Sequence, residues 1–191
     1  QFIRTARLIG EEAVNALETK NVCVFGIGGV GSFTAEALCR AGIGALTLID
    51  GDTVAESNLN RQLIALHSTI GQPKVDVMKA RMADIDPDAR VTALHMFYDE
   101  STADQLNLAQ FDYVVDAIDS VPSKIALIKR CHALNVPLIS CMGTGNKLDP
   151  SKLVITDIAK TNVCPLARVV RRELRKCGIA HHTVLYSTEP P

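Results

Sequence analysis

The stretch NVCVFGIGGVGS, residues 21–32, decides the fold. Asn21 to Phe25 is a short apolar, partly β-branched run of strand type, and it feeds directly into Gly26-x-Gly28-x-x-Gly31. Beyond the glycines, Ser32 to Arg40 predicts a helix with Phe33, Ala37 and Leu38 facing inward. A glycine turn between a strand and a helix is suited to anions. The glycines let the backbone turn tightly and approach a phosphate, whose charge is met by free N–H groups and by the positive end of the helix dipole. The plain alternative is a tight βα turn with no ligand.

The same alternation continues outward. Ala45 to Ile49 is a second strand ending on Asp50, Pro73 to Ile85 a helix opened by proline, and Val91 to Leu94 a third strand. Asp112 to Ile118 and Val136 to Cys141 are further strands flanking a helix from Pro122 to Leu134. Strands that are apolar throughout, rather than alternating, belong to a parallel sheet covered on both faces. After Met142 come a turn (GTGNKLDP), a strand-like run from Lys152 to Ile158, a basic helix from Pro165 to Lys176 and a short apolar run from His182 to Tyr186. The expected class is α/β, a Rossmann-like doubly wound and mainly parallel sheet with an antiparallel C-terminal extension. It forms a single domain: an N-terminal helical arm over residues 1–20, a nucleotide-binding core over 21–142 and the extension over 143–191.

Composition bounds the function. The 191 residues carry 20 Lys+Arg against 21 Asp+Glu, a net charge of -1, with 47% hydrophobic residues. That describes one globular α/β core and excludes a disordered chain or a large multidomain machine. Nucleic-acid binding would need a local basic patch. The apolar runs are too short to span a bilayer. Six cysteines without a signal peptide fit a reducing cytoplasm, and none forms a C-x-x-C pair, so a paired-thiolate zinc site is not expected. A chain opening at Gln1 and stopping at Pro190-Pro191 has the look of a piece of a longer protein.

Asp50 stands where a carboxylate can accept hydrogen bonds from ribose hydroxyls, and with the glycine loop alone a nicotinamide or flavin dehydrogenase is the first reading. The next segment points elsewhere. Asp52, Asn58, Arg61, Gln62 and Lys74 follow the carboxyl end of a central strand, where ligands bind in open α/β sheets. An arginine and a lysine there neutralise charge on an α-phosphate and a departing pyrophosphate, and a carboxylate holds magnesium. Asp116 and Asp119, in DAIDS with Ser120, are expected to face the same crevice, and one of them is the natural metal ligand. The alternatives are solvated loop charges and, for Asp116, a strand-end cap.

GIGGVGS at 26–32, LTLIDGD at 46–52, SNLNRQ at 57–62, GQPKV at 71–75 and DAIDS at 116–120 resemble, in order and over about four fifths of the chain, the ThiF-type adenylating superfamily related to ubiquitin-activating enzyme. The resemblance implies that ATP with Mg2+ is bound by Gly26, Gly28, Gly29, Gly31, Ser32, Asp50, Asp52, Asn58, Arg61, Gln62, Lys74, Asp116, Asp119 and Ser120, with Asp119 on the metal. It further implies a homodimer in which Arg7, or less fittingly Arg4, reaches the partner's ATP, so that Arg7, Arg61, Lys74 and Asp119 form the catalytic set. The sulfur-carrier activators of this superfamily usually carry paired zinc cysteines. TARLIGEEA, NRQLIALHSTIGQPKVDVM, LDPSKLVITDIAKT and PLARVVRRELRK are instead similar to the tRNA threonylcarbamoyladenosine dehydratase branch.

That branch implies ATP-dependent activation of the carboxylate on a threonylcarbamoyl adenosine beside the anticodon, followed by ring closure. It also implies a possible partner in a sulfur-transfer or desulfurase system. The alternatives are an activator of a ubiquitin-like or sulfur-carrier C-terminus and a nucleotide-binding scaffold. For RNA, Lys160, Arg168, Arg171, Arg172, Arg175 and Lys176 form the local basic patch, with Lys129 and Arg130 on another helix. A helix solvated by its own charges is the bland reading of the same residues. Cys141 is better placed than Cys131 for a thioester, yet burial as small hydrophobes is expected for both. Val184 stands where some dehydratases have a cysteine. The five histidines, at 67, 95, 132, 181 and 182, are expected to be non-catalytic.

Overall fold

A computed structural model describes residues 1–190. Seven strands form one sheet: β1 (Asn21–Phe25), β2 (Ala45–Ile49), β3 (Arg90–Leu94), β4 (Tyr113–Asp116), β5 (Leu138–Cys141), β6 (Leu153–Asp157) and β7 (Thr183–Ser187). Their order across the sheet is β3-β2-β1-β4-β5-β7-β6. The pairings from β3 to β7 are parallel, as in Val22↔Leu46 and Val22↔Tyr113 flanking β1, so the antiparallel character expected of the extension is confined to β6 against β7.

Among the described residues six α-helices accompany the sheet: α1 (Ile3–Ile9), α2 (Glu11–Glu18), α3 (Gly31–Ala41), α4 (Lys74–Ile85), α5 (Val121–Leu134) and α6 (Pro165–Lys176). Successive strand residues point to opposite faces, and each face has its own core. Val22 and Val24 pack with Ala35 and Cys39 of α3 and with Met78 and Met82 of α4. Cys23 and Phe25 pack with Leu127, Ile128 and Cys131 of α5 and with Val170 and Leu174 of α6. Burial on both sides is why the strand sequences are apolar throughout.

The inward face of α3 differs from the sequence expectation. Leu38 packs part-buried on the core as expected, but Gly31, Ser32, Ala35 and Cys39 are the buried residues, whereas Phe33 is 53% exposed and Ala37 faces solvent. The helix lies close to the sheet behind the glycine loop, where a Cβ on Gly31 would overlap the Gly26 carbonyl, so its first turn is lined by small residues. In α6 the apolar positions Ala167, Val170 and Leu174 face the core and leave charges on the other side. Helix α1 has no buried residue at all, with Leu8 86% exposed.

Candidate functional site

The carboxyl ends of β2, β1, β4 and β5 open into a crevice of about 740 Å³, at the point where strand order reverses on either side of β1. This is a volume suited to a small-molecule or cofactor ligand. Its walls bring together Gly26, Gly28, Gly29, Asp50, Asp52, Arg61, Gln62, Lys74, Asp119 and Ser120.

Backbone geometry fixes the phosphate-facing loop. Gly26 has φ +84, a left-handed conformation that favours glycine, and a Cβ there would strike the Ala117 carbonyl. A Cβ on Gly31 would overlap the Gly26 carbonyl oxygen. Gly31 and Ser32 therefore stand behind the loop rather than in the crevice wall. Ser32 Oγ donates to the Gly28 carbonyl at 2.6 Å and accepts from Leu63 N at 3.3 Å, so it braces the loop from the rear. Asp50 is held from two sides: Oδ2 accepts from Ile27 N at 2.6 Å and Oδ1 from Asp52 N at 2.8 Å. One carboxylate thus couples the end of β2 to the glycine loop.

Positive charge is supplied from two directions. Lys74, the first residue of α4, is 6% exposed and its Nζ lies 2.9 Å from Asp52 Oδ2. Arg61 is exposed, and its Nη1 donates to the Ser57 carbonyl and to Asn60 Oδ1, both at 3.0 Å. Gln62 is 8% exposed, and its Oε1 has no hydrogen-bond partner although the residue borders the crevice. Asn58 does not line the wall. Its Oδ1 accepts from Ala55 N at 3.0 Å and shapes the turn that carries Arg61.

Asp116 corrects the expectation that it faces the ligand. It is fully buried, and Lys124 Nζ lies 2.8 Å from its Oδ2. Its Oδ1 accepts from Ile118 N at 3.0 Å, and the same lysine donates to the Cys141 carbonyl at 3.0 Å. A carboxylate at a strand end, next to a buried ammonium, is neutralised internally. Asp119 and Ser120, one turn further on at the start of α5, are exposed in the crevice. Lys124 escaped the sequence reading; its signal was a lone lysine in the otherwise apolar run VPSKIALI. Also unanticipated were Phe97, whose ring packs against Gly51, and the Gly143-Thr144-Gly145 wall.

Among the described residues no group of three His, Cys, Asp or Glu side chains is arranged to hold a metal ion. A hard cation held by the Asp119 carboxylate, the Ser120 hydroxyl and ligand phosphates fits this oxygen-rich end of the crevice, since Mg2+ is usually bound through one or two carboxylates. Cys141 borders the crevice, but burial pushes its thiol up to about 11, so it is not a ready thiolate nucleophile. Burial likewise raises Cys131 to about 12. No histidine lines the crevice among the described residues.

A ThiF family model matches residues 2–181. The chain is 52% identical over 192 residues to tRNA threonylcarbamoyladenosine dehydratase of Bacillus subtilis, covering 100% of this chain and 76% of that protein. This chain belongs to the ThiF family. It falls in the family's tRNA threonylcarbamoyladenosine dehydratase branch, with 45% identity to the Escherichia coli enzyme over 92% of this chain and 65% of that one. A crystal structure of E. coli tRNA N6-threonylcarbamoyladenosine dehydratase in complex with ATP superposes with a TM-score of 0.94 at 42% identity, covering 99% of this chain and 81% of that one.

Away from the crevice, the basic patch is smaller than its sequence. Lys160, Arg168, Arg172, Arg175 and Lys176 are exposed, with Arg172 and Lys176 both paired to Glu173. Arg171 is corrected: its Nη1 turns inward to Thr161 Oγ1 at 2.6 Å and to the Thr161 carbonyl at 2.8 Å, closing the turn before α6. Lys129 and Arg130 pair with Glu100 and Asp104. Arg7 is exposed on α1, outside the crevice of its own chain. No described helix is long and apolar enough to cross a membrane.

Proposed function

We propose that this chain is the catalytic part of an ATP-dependent tRNA threonylcarbamoyladenosine dehydratase. The observation that carries the reading is the convergence, in one crevice, of a glycine loop, a ribose-facing carboxylate, two cations and one uncommitted carboxylate. Asp50 receives the ribose hydroxyls, and the N–H groups of the glycine loop, at the start of α3, receive phosphate oxygens. Arg61 and Lys74 offset the charge that builds on the α-phosphate and on departing pyrophosphate. Asp119 and Ser120 would hold magnesium, which would neutralise triphosphate charge that otherwise repels the incoming carboxylate.

The substrate carboxylate attacks the α-phosphorus, forming an acyl-adenylate and releasing pyrophosphate. A carbamoyl nitrogen of the same group then attacks the acyl carbon, AMP departs with the former carboxylate oxygen, and the nitrogen's proton leaves to solvent. The net change is loss of one water from the base. The nitrogen is tethered to its target, so the effective molarity for five-membered closure is high and activation is the enzyme's main task. No cysteine is required.

Exposed Arg168, Arg175 and Lys160 contact tRNA phosphates, which makes binding fall steeply with salt. The apolar, unburied face of α1, including Ile3 and Leu8, packs on a second copy and brings Arg7 to that copy's ATP. A sulfur-transfer partner and a cytoplasmic setting belong to the same proposal. The deciding experiment measures pyrophosphate release from ATP with tRNA bearing threonylcarbamoyladenosine and with unmodified tRNA, with nucleoside mass spectrometry of the product. Loss of one water that depends on the modification is the expected result. Pyrophosphate exchange that depends instead on a small Gly-Gly-tailed protein would overturn the reading.

A further inference from the structure

The crevice has an end that ATP does not need. With ribose at the β2 end and phosphates over the β1–α3 turn, the nucleotide occupies the span toward β4. The β5 end lies three strand spacings from β2, about 14 Å. The wall at that end is Gly143-Thr144-Gly145, a turn with two glycines and little side-chain mass. Such a turn does not define its own path.

The residues that follow it, 147–149, are anchored by the segment after β7. The Glu189 carboxylate accepts from Leu148 N at 3.1 and 3.2 Å through its two oxygens, and from Asp149 N at 3.0 Å through Oε2. Lys147 Nζ donates to the Glu189 carbonyl at 2.9 Å. The segment is itself anchored: Thr188 N donates to the Lys152 carbonyl at 2.9 Å and Glu189 N to Ser187 Oγ at 3.1 Å. Residues 148 and 149 are thus held by one ionised side chain and Lys147 by the same residue's carbonyl, in a manner that resembles a carboxylate capping the free N–H groups of a turn. The Asp149 and Leu148 N–H groups hold the Glu189 carboxyl below its ordinary range, so it is ionised at neutral pH.

We propose that Glu189 is a positioning residue: it fixes the 143–149 loop as the wall against which the acyl group to be activated is seated, so that it governs turnover without governing nucleotide affinity. The substrate named here rests on the dehydratase reading; the loop-ordering claim does not. A reacting group displaced by about 1 Å loses on the order of 100-fold in rate, whereas ATP, bound over β2, β1 and β4, is untouched.

The test uses the full chain with Glu189→Ala and Glu189→Gln, the latter retaining one acceptor oxygen. Hydrogen–deuterium exchange should accelerate over residues 143–149 in Glu189→Ala and leave 26–31 unchanged. The Kd for ATP should stay within about twofold, kcat with modified tRNA should fall about 10–100-fold, and Gln should recover part of that loss. Unchanged exchange over 143–149 in both variants overturns the proposal, as does a loss of ATP affinity equal to the loss of kcat. If Glu189→Ala does not fold, the Gln variant decides by the same readouts. A wild-type protein that removes no water from modified tRNA would overturn the substrate reading alone, because exchange still decides the loop.

Discussion

Replacing Lys124 by Met would expose how the Asp116–Lys124 pair supports the crevice. Both side chains are 0% exposed and lie 2.8 Å apart, with the lysine also capping the Cys141 carbonyl. Met matches the length of the aliphatic stem but offers no proton to either acceptor. Removing one member of a buried pair leaves an uncompensated charge and costs about 3–5 kcal/mol. For a chain of this size that is about 6–20 °C in Tm.

Lys124→Met combined with Asp116→Leu should regain much of the loss, because no charge then remains buried. Urea and thermal unfolding of the four proteins completes the cycle, with ATP affinity as a second readout. Asp116 also fixes Ile118 N beside Asp119, so the single variant should weaken nucleotide binding even below its melting temperature. A single variant within about 1 kcal/mol of wild type, or single-variant losses that simply add in the double, would refute this account.

Other outcomes follow from the same structure. Burial, with further contributions from His132 and Lys124, pushes His182 down to about 4, while its Nε2 sits 2.8 Å from Ser140 Oγ. A histidine held neutral in the fold but protonating near 6.5 when unfolded loses stability as pH falls through that window, about 2 kcal/mol between pH 7 and pH 5. His182→Gln should flatten that portion of the stability–pH curve, and equal slopes in urea titrations would count against it. Gly31→Ala should abolish ATP binding or folding, since its Cβ would overlap the Gly26 carbonyl, and isothermal titration beside circular dichroism separates the two. Cys141→Ser should retain turnover within a few-fold; complete loss with the fold intact would revive a thioester route.

The parallel sheet and the nucleotide end of the crevice were legible because they depend on local pattern. A strand of continuous apolar residues, a glycine turn and a carboxylate after the next strand each declare themselves within a few residues. The inward face of α3 was only partly legible: Leu38 packs on the core as its spacing suggests, but Phe33 and Ala37 point outward and Ala35 and Cys39 take the buried positions. Asp116 was assigned to the ligand for a similar reason: DAIDS offers two carboxylates, and only the position of Lys124, eight residues on, shows which one is neutralised inside. Arg171 looks like its neighbours on a basic helix until Thr161 comes within reach. Contacts between Glu189 and Leu148 span the β5–β7 region and leave no periodic trace.

The order of strands in the sheet also has a bearing on assembly in time. β7 follows β6 in the chain but lies between β5 and β6, and among the described residues β6 pairs with β7 alone. Until β7 has emerged, β6 therefore has no strand to pair with. The β6–α6–β7 unit joins the sheet through β7, and with it arrives the carboxylate that straps the far wall of the crevice. A nascent chain can therefore complete its glycine loop, residues 26–31, well before the far wall of the crevice is strapped.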